Sequence, residues 1–375
     1  MVNWNINSYL NLGISIGLFS LLLLFLYQLG KKKRKVPELI VGLIFGTMGA
    51  TIALIESLGL AETDPLLRAA LLPIHLICYG LLIFFFYLFL ESILTVQISI
   101  PRFLIAFSLL FLQIIADILI IWFDGNTVTQ DIWLLADIGY DTLGIYTFLF
   151  IGLLVYVRSY QYTKEKKPII LSIAILIIGL GYVVLSLNDY TGYFGVTPDW
   201  ISDISVLGDV LPFTGILLLL ITYLSDVNYI YNFPFDNYVL MVAYKYGIQI
   251  HSVYFETKKE VDLDVHLVSG FLSSLNTIFG SILGKEDVIE HISGKKTHII
   301  SENGEYISAT VISEKINKYL KRSLRRYVRE FEERYRSELK ENLSEITHFN
   351  DAIEMISPIF PFLKPKDIPT KSNSK

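Results

Sequence analysis

Seven long, predominantly apolar stretches occupy the first 228 residues, and shorter alternating and helical patterns take over after them. The stretches run Tyr9 to Gly30, Pro37 to Leu60, Ala69 to Leu94, Arg102 to Phe123, Trp133 to Val157, Pro168 to Asn188 and Ile204 to Leu224. Each supplies the roughly 20 residues a helix needs to cross about 30 Å of hydrocarbon. The pattern predicts an all-α seven-helix transmembrane bundle over residues 1–228. The first stretch is too long for a secretory signal, lacks a small-residue cleavage site and is followed by Lys31 to Lys35, so it reads as an uncleaved span.

Beyond a short, stiff linker at 229–237 the periodicity changes to that of a soluble α+β domain over residues 238–362. Val239 to Tyr244 and Ile248 to Phe255 read as strands joined by a turn at Lys245-Tyr-Gly247. A helix is predicted from a cap at Asp262 or Asp264 to about Leu283, with Val265, Val268, Leu272, Leu275, Phe279 and Ile282 on one face. Three further strands follow, Val288 to Ser293, Thr297 to Ser301 and Glu305 to Ser313, with turns at Gly294 and Asn303-Gly304. A long amphipathic helix is predicted over Glu314 to Glu341 and a last one over Leu343 to Ile356, ending before Pro358. The order is ββαβββαα. Residues 363–375 form a polar tail expected to be disordered.

Charge divides the chain in the same place. The 375 residues are 53% hydrophobic and 18% charged, yet only 11 of the 31 Lys and Arg precede Asn228, and the remainder holds 20 basic and 20 acidic residues. A formal net charge of −5 offers no basic field for nucleic acid. The single cysteine, Cys78, lies in an apolar run, which excludes disulfides within the chain and cysteine-based metal sites. Among the short loops, Lys31 to Lys35, Arg102, Arg158, Lys164, Lys166 and Lys167 fall on one side. The other side carries Arg68 against Glu62, Asp64, Asp124, Asp131, Asp189, Asp199 and Asp203. Positive loops stay inside, so the amino terminus is expected outside and the soluble domain in the cytoplasm. Trp4, Trp122, Trp133 and Trp200 all sit toward the outer interface.

Candidate chemistry lies within the spans. At 1.5 Å of rise per residue, Glu56, His75, Asp117, Asp137, Asp141 and Asp209 fall in about the outer third of their helices, and only Glu91 lies near an inner end. A charge at mid-bilayer costs about 2.5–3.5 kcal/mol on insertion scales, so these groups face inward, are hydrated, are paired or carry a proton. Asp137 and Asp141 share a helix face, and Pro73 and Pro212 each free a backbone carbonyl nearby. Together they outline an outward-facing pocket for a cation, a small cationic ligand or protons. Helix ends are also wet, and Glu56, Asp137 and Asp209 fit a headgroup position equally. The seventh span contains no Lys for a retinal Schiff base, no Asp-Arg-Tyr stands at the end of the third, and no Pro-Gln pair occurs. Nothing points to catalysis, to a cofactor or to a metal site. Gly294-Lys-Lys296 lacks the full phosphate-loop pattern, and His251, His266, His291, His298 and His348 lack ligand spacing.

Gly247 after the first strand, Ser269-Gly-Phe-Leu-Ser-Ser-Leu275 in the first helix and the element order make residues 238–362 similar to longin-like domains of archaeal type, relatives of the Roadblock fold. The resemblance implies a binding platform, for a small GTPase or for another longin- or Roadblock-like domain. The seven spans look like the membrane region of microbial seven-helix sensors. Three readings follow: a sensor coupling an outer acidic pocket to a cytoplasmic interaction domain, a bilayer anchor for such a platform, and a cation- or proton-coupled transporter. The basic half of the long helix, Lys318, Lys321, Arg322, Arg325, Arg326 and Arg329, reads as a solvated face or as a surface for anionic lipid or an acidic partner.

Overall fold

The computed structural model describes residues 6–32, 36–59, 65–95, 98–123, 129–163, 166–195, 199–204, 206–225, 236–244, 248–257, 267–268, 270–271, 274–275, 278, 290–294, 297–340, 346–360, 363 and 365–366. Trp4, Lys33 to Lys35, Glu62, Asp64, Asp124, Lys164, residues 226–235 with most of the linker, the Lys245-Tyr-Gly247 turn, Asp262, Asp264, His266, Leu343 and residues 367–375 lie outside them. So does much of the Ser269 to Leu275 segment. The tail expected from 363 starts later, because Leu363 is buried in the core and the Lys366 N–H donates to the Tyr254 carbonyl at 2.8 Å. The chain divides into two compact units, one comprising Met1–Glu91 with Ile98–Ile230 and the other Ser92–Gln97 with Tyr231–Lys375.

The first unit is helical. Its elements are α1 (Ile6–Lys32), α2 (Pro37–Ser57), α3 (Pro65–Leu94), α4 (Ile100–Trp122), α5 (Gln130–Ile145), a π-helical segment (Tyr146–Gly152), α6 (Leu153–Thr163), α7 (Lys166–Tyr193), α8 (Asp199–Ile204) and α9 (Leu207–Ser225). Among the described residues seven helices are long and apolar enough to cross a membrane, the fifth being the 32-residue run of α5, the π segment and α6 as far as Gln161. Helix α4 shows why water is the wrong solvent for this unit. Its exposed side is Leu104, Ile105, Phe107, Phe111, Ile115, Ile118 and Ile121, whereas the buried side is Ala106, Leu110, Gln113, Asp117 and Ile120. Gln113 and Asp117 are inside while the exposed side is almost wholly large and apolar, the reverse of a soluble helix. Small residues let α2 and α3 touch: a Cβ on Gly42 would stand 3.0 Å from Phe85 Cβ, and one on Gly49 3.0 Å from Cys78 Cβ.

Several span boundaries differ from the sequence expectation. Helix α7 continues past Asn188 to Tyr193 because Asp189, Tyr190 and Thr191 include no breaker; it stops where Gly195 adopts φ +62°, a left-handed position suited to glycine. The fifth span begins three residues earlier than expected and contains the π segment. Near the end of α3, Glu91 is completely buried and its Oε1 accepts from the Ser99 backbone N–H and from Arg102 Nη2, each at 2.9 Å. This one carboxylate satisfies an orphan donor at the start of α4 and pairs with its arginine.

The second unit holds an antiparallel five-stranded sheet: β1 (Asn237–Tyr244), β2 (Gln249–Tyr254), β3 (His291–Ser293), β4 (His298–Asn303) and β5 (Ile307–Ser313), in the order β2-β1-β5-β4-β3. Central strand β1 is buried on both faces, which explains its nearly continuous apolar run. On one face Leu240, Val242, Ala309 and Val311 pack with Leu320, Leu324, Tyr327 and Phe331 of α10 (Lys318–Arg334); on the other, Val239, Met241 and Ile312 meet Val268. The predicted helix from Glu314 starts instead at Lys318, because Asn317 is its cap and accepts from the Leu320 N–H at 2.7 Å. It breaks at Tyr335 before the short α11 (Arg336–Lys340). The last predicted helix is a 3₁₀ stretch, Ile346–Met355, followed by α12 (Ile356–Ile359), and α12 includes Pro358. A proline is tolerated there because first-turn N–H groups have no helical partner anyway. The basic half of α10 is partly neutralised within the unit: Lys321 pairs with Glu290, Arg325 with Glu302 and Arg326 with Glu330. Glu332 Oε1 accepts from the N–H groups of Tyr306 and Ile307 at 2.6 and 3.1 Å, closing the turn at Gly304.

Two outcomes are expected. Glu91→Ala strands Arg102 and the Ser99 N–H; removing one partner of a buried pair costs on the order of 3 kcal/mol, so thermal unfolding in detergent shifts down by several degrees, whereas an alanine at exposed Ile105 leaves it unchanged. On β2, burial pushes the His251 imidazole down to about 4, against roughly 6.5 in an unfolded chain. The fold therefore prefers neutral His251, and its contribution is full above about pH 6.5 and lost as the pH falls toward 4. Hydrogen exchange of the β1–β2 peptides in the full-length protein should accelerate through that window beyond the intrinsic trend, and His251→Leu should remove the excess.

Candidate functional site

Six spanning-region residues were expected to share one outer pocket, and the structure sorts them into two groups. Glu56 of α2 and His75 of α3 pair with each other, Oε2 to Nδ1 at 3.1 Å, and His75 meets Tyr79 edge to face at 5.9 Å. The other four are linked through a residue assigned to a loop from sequence. Asp117 interacts electrostatically with Asp137, Asp137 and Asp141 with each other and with Asp189, and Asp189 with Asp209. Asp189 joins them because α7 runs on by more than a turn. The chain of five carboxylates crosses α4, α5, α7 and α9.

Burial is uneven along it. Asp117 and Asp141 are 0% and 1% exposed, Asp137 and Asp189 are half-buried, and Asp209 is exposed. A dry carboxylate needs a partner, and the surroundings supply little. Asp117 Oδ2 accepts from Gln113 Nε2 at 3.3 Å, one turn away on α4, while Asp117 Oδ1 and Asp141 Oδ2 have no hydrogen-bond partner among the described residues. No Lys or Arg lies in the acid-bearing half of any of these four helices. Arg102 is fifteen positions from Asp117 on α4, about 22 Å along the axis.

Gln113 positions the inner end of the chain. It is fully buried, and Nε2 also donates to the Leu76 carbonyl of α3 at 2.7 Å, which holds the amide between α3 and α4. Two glycines make the fit possible. A Cβ on Gly80 would overlap Gln113 Oε1, and a Cβ on Gly139 would stand 2.7 Å from the Gln113 backbone N and 2.9 Å from the Leu109 carbonyl O. The sequence reading passed over Gln113 because it is neutral; its signal was the i, i+4 spacing to Asp117.

Tyrosines enclose the other end, and these too went unmarked. Tyr140 and Tyr182 cross edge to face with ring centroids 5.5 Å apart and hydroxyls at 3.2 Å. Both interact with Asp141, and Tyr79 interacts with Tyr182 and Asp209. Tyr190 bonds to Thr142 and Ser186 and senses Asp141 and Asp137. Tyr182 is held firmly: it stacks on Phe148 of the π segment at 5.7 Å and 10°, and its ring fills the space a Cβ on Gly144 would need. π-Helical turns recur at functional sites because the extra residue re-aims side chains. Among the described residues no three His, Cys, Asp or Glu converge as metal ligands do.

The two glycines give a graded expectation. Gly139→Ala drives a Cβ into backbone and should cost about 1–3 kcal/mol; Gly80→Ala meets only the end of a side chain that can swing away. Thermal unfolding of the two variants in detergent should show the larger loss for Gly139→Ala. No family model, curated protein or solved structure matches the chain.

Proposed function

We propose that the protein is a seven-helix membrane sensor whose acidic cluster faces outward and binds a cation, and whose carboxyl-terminal unit is a cytoplasmic longin-like interaction domain. The observation that carries this reading is the pair of dry carboxylates, Asp117 and Asp141, with no basic group beside them. Two such groups are too costly to keep for anchoring alone. They favour positive charge, and the exposed Asp209 offers the cluster an opening. The orientation rests on the Lys and Arg bias of the loops.

The second unit supports a platform in two ways. Its ββ(α)βββαα order and its antiparallel sheet with apolar clusters on both faces suit the longin-like reading. The turn at Gly304, closed by Glu332, and the partly neutralised α10 give the unit a fixed surface on which a partner can dock. Binding, to a small GTPase or to a second domain of the same kind, is the activity such a surface offers.

The test is thermal unfolding of the full-length protein in detergent across external cations and pH. Wild type should shift with cation concentration and with pH, and Asp141→Asn with Asp117→Asn should abolish the response while preserving the fold. A response unchanged in the double variant would remove the cluster from the account.

A further inference from the structure

Resting on that reading, the arrangement around Asp141 narrows the ligand to one chemical class. We propose that Asp141 and its tyrosines bind an organic ammonium ion, a primary or methylated amine.

The sign of the charge comes from the acids. Asp141 is 1% exposed, its Oδ2 has no partner among the described residues, and its charged neighbours are Asp137 and Asp189. A buried carboxylate in that setting calls for a cation. The class comes from what surrounds it. A bare Ca²⁺ or Mg²⁺ is held by several oxygens at about 2.0–2.6 Å, and among the described residues no three acidic, His or Cys side chains converge as metal ligands do. Tyrosines stand on the same stretch instead: Tyr140 is the chain neighbour of Asp141, its ring meets that of Tyr182 at 5.5 Å, and Tyr182 packs against α5 at Gly144, three residues on from the acid. Ring faces attract a large, weakly hydrated cation through their quadrupole, and quaternary ammonium recognition uses this combination of rings and charge.

The hydroxyls complete the site. In the Tyr140–Tyr182 pair one hydroxyl donates to the other at 3.2 Å, so lone pairs remain to accept from an N–H of the ligand. The Tyr79 hydroxyl is buried and has no partner among the described residues. Preorganisation follows from packing: Tyr182 is clamped by Phe148 and by the absence of a side chain at Gly144, so the wall loses little freedom when a ligand arrives. A free amine and a lipid headgroup present the same chemistry, and the experiment separates them.

The experiment is thermal unfolding of the full-length protein in dodecyl maltoside, which carries no amine, titrated with choline chloride, methylammonium chloride or NaCl at matched ionic strength. A parallel arm adds phosphatidylcholine or phosphatidylethanolamine micelles. The expected result is a saturable rise in Tm of about 3 °C or more with an ammonium compound and none with NaCl. The shift should be lost in Asp141→Asn and in Tyr182→Leu and mostly kept in Tyr182→Phe, which retains the ring. A shift from headgroup micelles alone supports the ammonium class and assigns its source to the bilayer. An equal shift with NaCl overturns the ammonium assignment while leaving a cation-binding cluster in place. No shift with any cation or pH step overturns both, and so does an ammonium response that survives Tyr182→Leu and Asp141→Asn.

Discussion

The cost of holding carboxylates away from water governs the membrane unit. Asp117 and Asp141 have essentially no exposure and, among the described residues, no ion pair with a basic group, and the helices around them surround rather than neutralise them. Helix α4 turns its apolar side outward and its Gln113 and Asp117 inward. Gly139 brings α5 against the α4 backbone, and Gly80 gives Gln113 room to reach the Leu76 carbonyl. Gly144 and Phe148 of the π segment let Tyr182 pack tightly against the fifth span. Each device excludes water from groups that in isolation prefer it, which is the arrangement the proposed cation site rests on.

The same chain shows the opposite solution elsewhere. Glu91 is as buried as Asp117, yet it is paired with Arg102 and bonded to the Ser99 N–H. That carboxylate is structural. The contrast between a satisfied acid near one end of the bundle and unsatisfied acids toward the other is what the proposed binding role rests on. Glu56 and His75 fall between, paired with each other and apart from the acidic chain.

Much of the architecture was legible in the sequence, for physical reasons. A span announces itself by length and apolarity, and a strand such as β1 by an unbroken apolar run, so both were readable without contacts. Boundaries set by single residues were less so: α7 reaches Asp189 because nothing stops it before Gly195, and α10 starts at Lys318 because Asn317 captures the Leu320 N–H. The candidate site was half visible. Acids in an apolar run are conspicuous through their cost, which drew attention to Asp117 and Asp141. Gln113, Tyr79, Tyr140 and Tyr182 carry no such signal, since neutral polar and aromatic residues are common in spans, and their roles come from packing across helices. The π segment had no periodicity to betray it.

A sensor, unlike an anchor, must transmit occupancy of the acidic cluster to the domain that meets its partner. Hydrogen exchange of the full-length protein in sealed proteoliposomes, read over the β1–β5 sheet and α10 while a cation is added outside, measures that transmission directly. The account predicts that protection in the soluble unit changes with external cation in the wild-type chain and not in Asp141→Asn. Cation binding that leaves exchange in the soluble unit untouched would contradict it.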